Sequence, residues 1–154
     1  MAFGLLLISA TWLMASCHLE IEGSGNGNLD GYWHLVTVDT LAVDSLGETF
    51  IMSTTDLSEQ RFFWGVQGAI IVLYSPDYKG GQRYVSHFTH EDNTLLLRGL
   101  RYHDRPKGDA LLEDVTEVYP FGVLKLVQSY DIEKLTSSAM VLRDDMLRFT
   151  FRKQ

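Results

Sequence analysis

A lone cysteine among 154 residues has no internal disulfide partner, and three prolines beside 45% hydrophobic residues separate the chain from disulfide scaffolds and from disordered polymers. Bases are few and scattered: 13 Lys and Arg stand against 20 acids for a formal charge of −7, and no basic run exceeds the pair Arg152-Lys153. Neutralising a phosphate backbone needs clustered cations, so nucleic acid is excluded as a leading partner. The first 60 residues contain no base at all while carrying eight acids, Arg61 being the first cation. Hydrolase signatures are missing too, with neither a Gly-x-Ser-x-Gly elbow nor a His-Glu-x-x-His pair, and no cofactor motif is present. The length itself allows about one domain of the usual ~100–200 residues.

What is present begins with an address. Residues 1–16 carry no charge, and Phe3 to Met14 is almost wholly apolar, too short for the ~20 residues of a membrane-spanning helix. The run ends in Leu13-Met14-Ala15-Ser16-Cys17, which resembles the lipobox of bacterial lipoproteins. That resemblance implies cleavage after residue 16 as a signal peptide and diacylglycerol on the Cys17 sulfur; the alternative is a buried segment with Cys17 as an inert small hydrophobe. From Cys17 to Asn28 the Gly-, Ser- and Asn-rich chain reads as a flexible tether. Glu20 and Glu22 within it resemble the acidic export signals of some surface lipoproteins. Its glycines lack the preceding strand and following helix of a phosphate-binding loop.

From Tyr32 onward apolar residues recur at every second position between short clusters of Gly, Asp, Asn, Ser and Pro. This period predicts antiparallel strands near 32–38, 48–53, 60–67, 69–75, 82–90, 94–102, 127–135, 139–143 and 146–153, with short turns between most of them. The expected fold is all-β, an up-and-down barrel of about eight strands over residues 29–154, closed on itself so that sheet edges vanish. Residues 104–123 break the pattern with Pro106, Gly108, Pro120 and Gly122; a long loop with a short helix near Ala110–Val115 is expected there. Alternation turns Phe62, Trp64 and Val66 inward, and likewise Leu147, Phe149 and Phe151.

Gly31-Tyr32-Trp33, at the opening of the first strand, resembles the Gly-x-Trp signature of lipocalins and their calycin relatives. With the Trp64 strand and the closing Leu147–Lys153 segment, the chain from about 29 to 153 is similar to small lipocalin-like lipoproteins of Gram-negative gut bacteria. The resemblance implies a tryptophan plugging one barrel end under an arginine of the last strand, for which Arg148 and Arg152 are the candidates. It also implies a bacterial outer-membrane location, anchored by lipid and facing the periplasm or the cell surface.

Chemistry is sparse. His87 and His90 are three apart on a strand and point to opposite faces, so they are poorly placed to share a metal ion. Arg101, His103, Asp104 and Arg105 form a polar strand end that could hold a small anion or simply pair with itself. The expectation is therefore a protein without catalysis, binding a small apolar ligand among Trp33, Phe62, Trp64, Tyr84, Phe88, Tyr130 and Phe149. The alternative is an interaction module of an envelope assembly with its barrel filled by side chains.

Overall fold

The computed structural model describes residues 24–154; the apolar stretch, Cys17, Glu20 and Glu22 lie outside the described residues. Nine strands follow the sequence pattern: β1 (Gly31–Val43), β2 (Thr49–Asp56), β3 (Phe63–Gln67), β4 (Ile70–Tyr74), β5 (Arg83–Glu91), β6 (Thr94–Tyr102), β7 (Gln128–Leu135), β8 (Ala139–Arg143) and β9 (Leu147–Lys153). Each pairs antiparallel with its neighbour, and β1 also pairs with β9, which closes the sheet. β3 faces residues 31–34 of β1 and β2 faces residues 37–43 of the same edge, so the nine strands form a closed wall of eight with one strand extra.

Strand direction gives the barrel two unlike ends. At one end lie the start of β1 and the tight connections 67–70, 91–94 and 135–139. At the other, the rim, lie the β1–β2 hairpin and the connections 74–83, 102–128 and 143–147. The first end is sealed by Trp33, fully buried, whose indole N–H donates to the Leu29 carbonyl at 2.8 Å. The cation over its ring is Lys153, with Nζ 4.7 Å from the ring centroid and 2.9 Å from the Asn28 carbonyl it donates to. Neither Arg148 nor Arg152 takes that place. Arg148 binds Glu133 on the outside at 2.7 Å, and Arg152 is exposed; alternation points both away from the interior, whereas Lys153 is in step with the inward Phe149 and Phe151 and its long side chain curls under the base. Gly31 makes room for that curl, since a Cβ there would stand 2.8 Å from Lys153 Cε.

The tether reading reaches into the described residues at Ser24, and here the chain is fastened. Asn26 Nδ2 donates to Asp30 Oδ1 at 2.8 Å and to the Gly68 carbonyl at 2.7 Å, and Gly27–Leu29 forms a single 3-10 turn. Asn side chains supply such local bonds readily, so a Gly/Asn string beside a sheet end need not stay loose.

The β1–β2 hairpin projects past the wall. All eight β2 residues are exposed, including Phe50, Ile51 and Met52, and among the described residues the outer edge of β2 has no partner strand.

Candidate functional site

The seven aromatic side chains singled out in the sequence converge inside the barrel: all are buried except Phe62, which is half-buried at the rim. Five of the rings, those of Phe62, Trp64, Tyr84, Tyr130 and Phe149, touch one another or further aromatics. Trp64 meets Tyr130 at 5.8 Å and Phe151 at 5.0 Å between centroids, and Tyr130 meets Phe149 edge-on at 5.8 Å. Such contacts add about 0.5–1.5 kcal/mol per pair beyond area burial.

The rim-side half of this interior is occupied by the chain itself. The connection between β6 and β7 is far longer than the ~12–15 residues beyond which a structureless loop is unusual and commonly a lid or binding loop. Its first part is not the helix expected near 110–115. Ala110 and Leu112 instead bond the β6 backbone, the Ala110 carbonyl accepting from Tyr102 N–H at 2.9 Å and Leu112 N–H donating to the Leu100 carbonyl at 2.9 Å. The helical piece lies at Val115–Phe121, a 3-10 segment started by the Asp114 carboxylate, which accepts from Thr116 N–H at 2.9 Å. Three residues per 3-10 turn put Val118 and Phe121 on one side. Both, with Val123, are fully buried. Phe121 sits 5.3 Å from Phe62 and 6.0 Å from Tyr84, plugging the mouth.

Hydrogen bonds from the barrel fix this plug. The Trp64 indole N–H donates to the Phe121 carbonyl at 2.9 Å, and the Tyr130 hydroxyl donates to the Gly122 carbonyl at 2.8 Å. Glu117 is gripped at the rim: Tyr84 donates to Oε2 at 2.9 Å, Tyr102 to Oε1 at 2.8 Å, and Lys79 Nζ lies 3.0 Å from Oε2. Burial pushes the Glu117 carboxyl up, but the bonds from Tyr102, Lys79 and Tyr84 outweigh it and hold the group below its ordinary range. Burial, and then the bond to Glu117, raise Tyr84 far above an ordinary phenol; the same bond, followed by burial, raises Tyr102. At neutral pH the cluster is therefore one ionised acceptor facing two neutral hydroxyls, with Lys79 Nζ beside it. Tyr130 is raised mainly by burial and secondly by Asp144, and remains a donor.

Glu117, Phe121, Lys79 and Tyr102 were not legible as site residues. The usable signal was the i, i+3 apolar pair Val118 and Phe121, with breakers at Pro120 and Gly122. The other motifs resolve into structure. His87 is exposed and His90 partly so. Arg101 donates to the Asp109 carbonyl at 3.2 Å and Asp104 pairs with Lys107 at 3.2 Å, stapling the loop's start. Two open grooves mark the outer surface, one of about 750 Å³ across Tyr32, Gly65 and Ile70 and one of about 530 Å³ between Lys125 and Asp145, and none of the seven interior aromatics lines either.

A closed up-and-down barrel, sealed at one end by a Gly-x-Trp tryptophan and stoppered at the other by a loop, defines the class. The chain belongs to the lipocalin-like domain family, whose model matches residues 12–154. It is similar in fold to the crystal structure of a lipocalin-like protein from Bacteroides uniformis (16% identity, 83% of this chain and 100% of that one, TM-score 0.55). It is also similar to an uncharacterized protein from Bacteroides eggerthii (17% identity, 81% and 98% covered, TM-score 0.50). No protein of curated function matches.

Proposed function

We propose that the protein is a lipid-anchored, lipocalin-like binding protein of the bacterial cell envelope, which takes a small apolar ligand into its barrel without covalent chemistry. The observation that carries this reading is the plug: one 3-10 segment, seated through Val118 and Phe121, fills the rim-side interior above Trp64 and Tyr130 together with Val123 just beyond it. Burying each such side chain is worth about 1.5–3 kcal/mol. Withdrawing three in water therefore costs on the order of 5 kcal/mol, leaving the open form at roughly one molecule in several thousand. A ligand binds only if it replaces that apolar contact, and its apparent affinity is reduced by the open fraction.

Native mass spectrometry of the protein purified from its own membranes tests this. A retained molecule of a few hundred daltons is expected; a bare chain throughout would overturn the reading. The anchor is tested separately by Cys17→Ala, which should move the protein to the soluble fraction and abolish incorporation of radiolabelled palmitate. Membrane retention or labelling of that variant would refute lipidation at this sulfur.

A second reading, an interaction module of an envelope assembly, is favoured by β2, an exposed edge strand bearing Phe50, Ile51 and Met52. A bare mass in the same experiment, with a co-purifying protein lost on Met52→Lys, would move the assignment there.

A further inference from the structure

The groups that hold the plug are almost all donors. Trp64 Nε1 and Lys79 Nζ can only donate, and Tyr84, Tyr102 and Tyr130 each donate their hydroxyl proton to the 114–124 segment. In these five contacts the acceptors are supplied by the segment: the Glu117 carboxylate at the rim and the Phe121 and Gly122 carbonyls deeper in; Leu124 N–H, donating to Gln128 Oε1 at 3.1 Å, runs the other way. Once the segment withdraws, the buried donors Trp64, Tyr84 and Tyr130 face an apolar chamber, where an unmet polar group is costly, and at the rim Lys79 is left without its counter-ion. A purely hydrocarbon ligand leaves that deficit standing. A ligand that carries an anion at the rim and an acceptor oxygen further in removes it.

We propose that Glu117 and Phe121 stand in for the ligand, and that Lys79, Tyr84 and Tyr102 form a clamp selecting the carboxylate of an amphipathic acid with an acyl or aromatic body. The inference rests on the interior-ligand reading above and adds to it the chemical class. The carboxylate takes the place of the Glu117 oxygens, now 2.8 to 3.0 Å from their three donors. The apolar body enters where Phe121 lies against Phe62 and Tyr84, and Trp64 Nε1 meets an oxygen of the ligand or a retained water. Ligand and Glu117 compete for one clamp, so the unligated barrel is held shut by the contacts that recognise its cargo.

The test uses 11-(dansylamino)undecanoic acid and its methyl ester, read by the blue shift of dansyl emission in the full chain. In Glu117→Gln the internal competitor loses its charge while keeping its shape. The acid is expected to bind about tenfold tighter to this variant than to the unaltered chain, the scale of one charge-assisted hydrogen bond, and tighter than the ester. Adding Lys79→Ala, or separately Tyr102→Phe, should remove about tenfold of the acid's affinity and leave the ester's unchanged. Lys79 is half-exposed and Tyr102 keeps its ring in the second variant, so folding is preserved in both. Equal binding of acid and ester in Glu117→Gln would overturn the clamp and leave an apolar-ligand barrel standing. Absence of binding by either probe in every variant would overturn the clamp and the interior site together.

Discussion

Phe121→Ala is expected to lower stability by about 3–5 kcal/mol and, in the same molecule, to raise affinity for an apolar probe such as 1-aminoanthracene. The two effects share one cause. Phe121 is fully buried, lies against Phe62, Tyr78 and Tyr84 with ring centroids 5.3 to 6.0 Å away, and is the largest buried side chain of the segment. Deleting it leaves a hole lined by aromatic rings, and a rigid apolar hole stays dry and accepts an apolar guest. Urea unfolding reads the first effect and fluorescence titration the second. Lost stability with no gain in binding would mean that the walls relax inward and that this residue is ordinary core.

Gly122→Ala is the second large effect, expected to cost about 2–5 kcal/mol. Two terms add: about 1–2 kcal/mol for a left-handed backbone, since φ is +83°, and about 1–3 kcal/mol for overpacking. The overpacking has a named opponent, for a Cβ at this position would stand 2.8 and 2.9 Å from Phe149 Cδ1 and Cε1, in the middle of the interior. Gly99→Ala is the control. Its φ is +68° but nothing lies within 4 Å of the added carbon, so it should show only the backbone term. Equal losses at the two positions in thermal or urea unfolding would show that the plug yields and Phe149 is not met.

The strands were legible because water enforces their period: one face of each is buried, so polar and apolar residues must alternate, and turn residues mark where direction reverses. Trp64 and Val66 inside with Gln67 outside, or Phe149 and Phe151 inside with Arg152 outside, follow from that rule alone. It failed where burial has another origin. β1 runs on to Val43 rather than ending near 38, because Asp39 is buried yet satisfied by the Thr54 hydroxyl at 2.6 Å and a bulge after Thr40 resets the alternation. The strand near 60–67 begins at Phe63, since Arg61 leaves the ladder to bind Asp77.

The plug was hidden for a related reason. Its apolar residues are three apart in a segment broken by Pro120 and Gly122, which carries no period-two signal. Glu117 reads locally as one more solvated acid. Only the tertiary fold brings Lys79, Tyr84 and Tyr102, from two other parts of the chain, onto it. Lys153 escaped notice because the resemblance asked for an arginine, whereas the ring needs only a cation that can reach it.

Asn26 bonded to Gly68 and Lys153 bonded to Asn28 place the point where the amino-terminal arm leaves the body beside the sealed base, opposite the stoppered rim. The root of the arm and the stopper are therefore at opposite ends of the barrel, and the arm's root leaves the mouth clear. The proposed ligand then has its path of entry at the end of the barrel remote from the root of the arm.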